Sequence, residues 1–435
     1  MLERLFRIAA LTTGGLLAAR RLLFAPPPVR NPSSTAAAQT NTQPADIQTA
    51  TSAGTNWWRT GLKLAALGLA LGLLGLLAAA SGLIPIKASS GHWAITNWLL
   101  SFSMERSVNT HSLPLEPPSQ PGLEDPAMVL KGAGHYETGC RACHGSPELR
   151  HPRVTQKMTP PPPYLPPEIS EWQARELFYI VKHGVKFTGM PAWPALERDD
   201  EVWAMVAFLR HLPRLDASGY RQLVHGPVAN QPAAVAAIAP MQEMSVPATG
   251  PTDALAQLAA ENCARCHGLD GLGRGTGAFP NLAGQRPAYL AAALQAYTNS
   301  TRPSGLMEPV AAGLSAESLR ALAGYYAQLP RLTATPARHA NDAAALTRGA
   351  AIAQQGLPQQ RLPACAACHG PGEQARQPHY PVLAGQPANY LVLQLELFNT
   401  RVRRGSEYAH LMHPIAARLS PAQMRDVALY YEQLR

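Results

Sequence analysis

The chain has 435 residues, of which only 15% are charged, and a formal charge of +9; that length suits about three domains with linkers. Its 41 prolines, 34 glycines and abundant alanine favour small helical units joined by irregular connections over one large α/β core. The charge is spread out: residues 1–61 and 333–435 each carry four more basic than acidic side chains, residues 126–221 two more and residues 251–332 one more. No segment holds the basic stripe that a phosphate backbone requires, so nucleic acid is excluded as a partner.

Residues 1–61 read as a cytoplasmic, largely disordered segment. Its opening, "MLERLFRIAALTTGGLLAARRLLF", is too short and interrupted to span a bilayer. It is open between a signal peptide, a cytoplasmic amphipathic helix and an extension from a misassigned start. Pro26 to Thr55, rich in Thr, Ala, Gln and Pro, has linker composition. Leu64–Ile86 is then uncharged for 23 residues and lacks the polar face of a core helix, so residues 62–86 are expected to cross a membrane once. Arg4, Arg7, Arg20, Arg21, Arg30, Arg59 and Lys63 precede this run, and Lys87 alone follows it closely. That bias keeps the N-terminus in the cytoplasm and sends the remainder across the bacterial inner membrane into the periplasm. Trp57 and Trp58 suit the membrane interface. In the connector 87–125, Trp93, Trp98, Leu99 and Phe102 fall at helical spacing. The helix they imply lies on the outer membrane face or packs on the domain beyond.

All six cysteines lie in three copies of C-x-x-C-H: Cys140-Cys143-His144, Cys263-Cys266-His267 and Cys365-Cys368-His369. Paired thiols followed at once by an imidazole read as a covalent attachment site for c-type haem, the histidine reaching the iron. A structural zinc site needs four ligands, and no spare cysteine completes one. A thioredoxin-like dithiol would follow a strand in an α/β pattern, and none is visible. Three covalently bound haems are therefore expected.

Each motif is preceded by a short helix candidate and each domain ends on a stronger one. "DDEVWAMVAFLRHLP" presents Val202, Met205, Val206 and Leu209 on one apolar face. "SAESLRALAGYYAQLP" and "SPAQMRDVALYYEQLR" begin on N-cap candidates, Ser315 and Ser420. Residues 251–332 and 341–435 are internal repeats. "FPNLAGQRPAYL" from Phe279 matches "YPVLAGQPANYL" from Tyr380, and "LMEPVAAGLSAESL" from Leu306 matches "LMHPIAARLSPAQM" from Leu411. A linker over 222–250 separates the first domain, 126–221, from this pair, and a short one over 333–340 joins the pair closely.

A histidine-ligated haem iron that only carries electrons needs a sixth ligand, and methionine is the high-potential choice. Met190, Met307 and Met412 stand 46, 40 and 43 residues after their histidines, each in a loop before the terminal helix. Met158, Met205 and Met424 read as core filler. His410 and His413 flank Met412 and compete with it. Downstream of every motif runs Pro-x-Leu, at Pro163, Pro280 and Pro381. A proline carbonyl is a suitable acceptor for the other N–H of the ligating imidazole; in the first domain Pro162 and Pro163 both remain open.

These parts resemble class I cytochromes c, small helical domains with C-x-x-C-H early, Pro-x-Leu midway and Met before a C-terminal helix. The resemblance covers residues 126–221, 251–332 and 341–435, and the last two are similar to dihaem cytochrome c4. It implies an all-α fold, one transmembrane helix followed by three cytochrome c domains, and it implies electron transfer. It gives Cys140, Cys143, Cys263, Cys266, Cys365 and Cys368 the haem-attaching roles, and His144, Met190, His267, Met307, His369 and Met412 the iron-ligating ones. The expected function is a membrane-anchored trihaem relay between respiratory components: a quinol-oxidising complex, a dehydrogenase or a terminal oxidase. The alternative is a cytochrome subunit of such a dehydrogenase or oxidase. Catalysis by the chain itself is not expected, since peroxidase chemistry needs an open iron and no acid–base group stands out.

Overall fold

The computed structural model describes residues 57–84, 86–119, 121–226, 251–275, 277–331, 342–370 and 377–434. Residues 1–56 of the expected cytoplasmic segment, residues 227–250 of the first linker and all of the linker 333–340 lie outside the described residues. The described residues fall into two bodies, one before and one after residue 85.

In the first body, α1 (Trp57–Ala80) runs for 24 residues and none of them is buried. At 1.5 Å per residue it is about 36 Å long, more than a hydrocarbon core of about 30 Å. By length and composition it can cross a membrane. It starts earlier and stops sooner than the apolar run suggests. Trp57 and Trp58 form its first turn, and residues after Ala80 leave it. The Ser81 hydroxyl donates to the Ala78 carbonyl, and Gly82 takes a φ of 72°, the left-handed conformation that ends helices.

The second body is all-α. Among the described residues it holds no strand, only an isolated bridge between Leu357 and Leu362. After α2 (Ala94–His111), α3 (Pro126–His135), α4 (Ala174–His183), α5 (Asp199–His211) and α6 (Ala217–His225) follow. Next come α7 (Pro251–Asn262), α8 (Pro287–Thr298), α9 (Met307–Ala312) and α10 (Ala316–Gln328), then α11 (Ala343–Gln355), α12 (Ala388–Asn399), α13 (Ala409–Ala416) and α14 (Pro421–Gln433). Each C-x-x-C-H ends on a single helical turn: Arg141–His144, Ala264–His267 and Ala366–His369.

The same pairing recurs three times, because an amphipathic helix needs a partner for its apolar face. The helix leading into each motif packs on the last long helix of its segment: α3 on α5, α7 on α10, α11 on α14. Two of these crossings are close enough to demand glycine. An ideal Cβ on Gly132 would sit 2.2 Å from the Ala204 carbonyl oxygen, and one on Gly349 would sit 2.1 Å from that of Asp426. The caps are local: Asp125 accepts from the Ala127 and Met128 amides. Ser315 and Ser420 cap α10 and α14, the latter in a reciprocal box with Gln423.

Each pairing carries its own buried cluster. The first gathers Tyr136, Phe178, Met205, Phe208, Tyr220 and Val224, so α6, which runs across residue 221, belongs to the first core. The second centres on Leu290, Leu322 and Tyr326, and the third on Ile352, Leu391, Met424 and Tyr431. Helix α2 divides its length: its end packs on α4, with Val108 buried and the His111 ring stacked on Tyr179, while Trp93, Trp98, Leu99 and Phe102 are exposed.

Candidate haem sites

Every motif histidine meets the same partner. His144 Nδ1 lies 3.0 Å from the Pro163 carbonyl oxygen, His267 Nδ1 3.1 Å from that of Pro280, and His369 Nδ1 3.0 Å from that of Pro381. In the four-proline run, Pro163 rather than Pro162 takes this place. A carbonyl accepts only, so it fixes the proton on Nδ1 and leaves the Nε2 lone pair free. Burial lowers the pKa of all three imidazoles, against the opposing pull of the proline carbonyls, which keeps them neutral, as an iron ligand must be. Burial pushes the Cys140 thiol up to about 12 and those of Cys263, Cys266 and Cys365 up to about 11.

One connected cavity of about 1390 Å³ holds the second and third sites together. Its walls include Cys263, Cys266, His267 and Met307 from one repeat, and Cys365, Cys368, His369 and Met412 from the next. Both methionines stand in short helices rather than in the expected loops: Met307 opens α9 and Met412 lies inside α13. Of the three candidates in "HLMH", Met412 lines the cavity. His410 is exposed with Nδ1 3.0 Å from the Glu407 carbonyl, and His413 Nε2 sits 3.0 Å from the Arg403 carbonyl.

The first site lies apart from that cavity. Met190 sits in a tight turn, its carbonyl accepting from the Val185 amide and its amide donating to Thr188 Oγ1. Met158 is half-buried against this turn, its methyl 2.0 Å from where a Cβ on Gly189 would lie; sequence reasoning had assigned it to the core. The buried Met205 and Met424 are core residues.

The cavity suits a large, partly acidic, apolar group. Two arginines, Arg302 and Arg403, are each 8% exposed where the repeats meet. Both donate to Gln394 Oε1, at 3.3 and 2.6 Å, and Arg403 donates to the Tyr289 hydroxyl at 2.9 Å. No carboxylate among the described residues pairs with either. Burial alone would raise the Tyr289 phenol, but Arg403 and Arg302 override it and bring it down to about 8. Buried cations without an anion are costly, and the acid groups of a haem are such anions. The Tyr431 hydroxyl is also buried without a partner on the same wall. Sequence reasoning missed this pair, although the repeats carry a signal for it: Arg302 and Arg403 occupy equivalent positions after α8 and α12.

The first domain nevertheless reaches the second site. A Cβ on Gly134, at the end of α3, would fall 3.0 Å from Cys266 Sγ. The helix leading to Cys140 therefore rests on the second motif.

A helical fold whose C-x-x-C-H turns each carry a histidine held by a proline carbonyl defines a c-type cytochrome. The chain belongs to the cytochrome c family, with homology to dihaem cytochrome c4 and to thiosulfate dehydrogenase electron acceptors. The family model for cytochrome c oxidase, cbb3-type, subunit III matches residues 127–209 and 250–325, and that for cytochrome c matches residues 346–435. The thiosulfate dehydrogenase electron acceptor of Thiomonas intermedia is 36% identical over 169 residues, covering 39% of this chain and 76% of its own. Cytochrome c-552 of Acidithiobacillus ferridurans is 36% identical over 193 residues, 43% of this chain and 80% of its own. Cytochrome c4 of Thiocapsa roseopersicina is 33% identical over 174 residues, 40% of this chain and 86% of its own. The solved structure of Acidithiobacillus ferrooxidans cytochrome c4 is 36% identical and aligns with a TM-score of 0.35 over 40% of this chain and 99% of that one.

Proposed function

We propose that the protein is a membrane-anchored, three-haem electron relay of the bacterial cell envelope. Its N-terminus is cytoplasmic, and α1 anchors three cytochrome c domains on the periplasmic side, the first running from 126 through α6 and the others over 251–332 and 341–435. The observation that carries this reading is the threefold repetition of one arrangement, a C-x-x-C-H turn with its imidazole held by a proline carbonyl, within one body.

When bound, each haem supplies a one-electron iron couple. The residues do the rest. Cys140 and Cys143, Cys263 and Cys266, and Cys365 and Cys368 would hold the macrocycles through thioether bonds. His144, His267 and His369 offer Nε2 to the metal, and the proline carbonyls orient them. Met190, Met307 and Met412 would supply the remaining iron ligands and so keep water and small molecules from the metal. Arg302 and Arg403 offset buried acid groups at the joint between repeats. Nothing but electrons needs to move, and the contact of Gly134 with Cys266 favours exchange between the first and second sites. The membrane tether raises the local concentration of these domains near membrane-bound redox partners, such as a quinol-oxidising complex, a dehydrogenase or a terminal oxidase.

A second reading, an electron-accepting subunit of an oxidoreductase complex, is favoured by the relatives that bear the name thiosulfate dehydrogenase electron acceptor. Co-purification from detergent-solubilised membranes separates the two: a stoichiometric enzyme partner supports the subunit, and an isolated cytochrome supports the relay. For the relay itself, the denatured chain should retain three haem masses after acid–acetone extraction. A C-terminal reporter that works only in the periplasm should be active; fewer haems or a cytoplasmic signal refutes the reading.

A further inference from the structure

The methionine loops of the first two sites are built into each other. Trp193, three residues after Met190, is 6% exposed and packs on Gly305, two residues before Met307. A Cβ there would fall 2.2 Å from the indole nitrogen. Leu306 reaches the core of the first domain. At the centre lies Glu201 of α5, only 1% exposed. Its Oε2 accepts from the Gly305 amide at 2.6 Å and from Trp193 Nε1 at 3.3 Å, and its Oε1 accepts from the Ser304 hydroxyl at 2.6 Å. Arg198 Nη1 stands 2.8 Å from Oε1 and also donates to the Pro303 carbonyl at 2.8 Å. Ser304 Oγ in turn accepts from the Met307 amide at 3.1 Å.

A carboxylate taken out of water is retained only where its lone pairs are filled, and two of its four partners, Ser304 and Gly305, belong to the loop of another domain. Among its described residues the third domain has no such device. The positions equivalent to Ser304 and Gly305 are Ala409 and His410, and there the backbone continues as helix α13. The outside grip and the distinct loop geometry therefore occur together at one site.

We propose that Glu201 is a positioning residue for the second haem site. By holding Ser304 and Gly305 it sets Met307 against the iron, so docking of the first domain determines how firmly the second haem is ligated. This rests on the reading that Met307 is a haem ligand.

The test uses the full-length holoprotein with the substitutions Ser304→Ala, Glu201→Gln, Met307→Leu and Glu197→Gln. The last removes an exposed pair with Arg404 that also joins the first and third domains but makes no bond to Ser304, Gly305 or Met307. Three readouts apply: the far-red methionine–iron band of the oxidised protein, carbon monoxide binding by the reduced protein, and the resolved haem potentials. Met307→Leu should remove about one third of the band and open one haem to carbon monoxide. Ser304→Ala and Glu201→Gln should let carbon monoxide compete about tenfold better at that same haem, the factor expected for a lost buried hydrogen bond, and should lower its potential. Glu197→Gln should do neither. A silent Met307→Leu protein would overturn the ligand reading and the inference with it. A responsive Met307→Leu protein beside a silent Ser304→Ala protein would overturn the inference alone. An equal response from Glu197→Gln would reduce the effect to general docking and overturn it too.

Discussion

Gln285 binds the backbone of Val382 with both ends of its side-chain amide: Nε2 donates to the Val382 carbonyl at 3.0 Å and Oε1 accepts from its amide at 2.7 Å. Gln386 does the same to Asn281, at 2.7 and 3.0 Å. Each repeat thus braces the residue after the proline that holds the other repeat's histidine. Gln285→Leu should remove two buried bonds and cost about 2 kcal/mol, measured as a lower urea midpoint. The third haem's potential should shift with it, because Pro381 orients His369, and Gln386→Leu should shift the second haem instead.

Arg403 supplies a positive charge to the cavity shared by the second and third sites. Replacing it by Leu should lower a haem potential by on the order of 50 mV, as expected for losing a unit charge nearby at an effective dielectric near 20. Redox titration should show the shift in one or both of these haems and none in the first.

Two methionines of the first domain should answer oppositely. Leucine conserves methionine's volume to within about 1.5 kcal/mol of stability. Met190→Leu should therefore fold, lose the far-red band of one haem and bind carbon monoxide. Met205, 1% exposed on α5, should accept leucine with no spectral change.

Asp200 should mark the acid limit of the first domain. Burial alone would raise its pKa, but Lys131 at 3.1 Å and Arg198 at 2.7 Å override it and hold the carboxyl well below the usual range. Asp200 thus binds a proton more weakly folded than unfolded. Its stabilisation is complete above the unfolded value near 4 and is lost as the pH falls below it. Asp200→Asn should cost about 2 kcal/mol at pH 7 and flatten the loss of stability as the pH falls below about 4, as read by urea unfolding at each pH.

Much of the site is legible in the chain because it is local. A thiol pair and an imidazole within five residues fold onto one helical turn whatever surrounds them, and Pro-x-Leu follows closely enough for its carbonyl to meet that imidazole. The repeat of "LAGQ" likewise marks Gln285 and Gln386, since a symmetric joint needs the same residue twice. The span Leu64–Ile86 was legible as apolar, but its helix ends at Ala80, because termination depends on Ser81 and Gly82 rather than on hydropathy.

Tertiary structure decided what distance in sequence hides. Glu201 and Ser304 stand 103 residues apart, and nothing in "DDEVW" distinguishes the carboxylate that is buried from the two beside it. Met412 reaches the cavity with Leu411 and Ile415, while His410 and His413 bond backbone carbonyls elsewhere, because the helical phase of α13 presents one side to it. Arg302 and Arg403 become a paired cationic wall only when two repeats close on each other. The sequence by itself determined the chemistry of each attachment turn, which is local bonding. Packing between domains decided which ligand loops are held, and by what, because buried charges and hydrogen bonds form only where separate segments exclude water together.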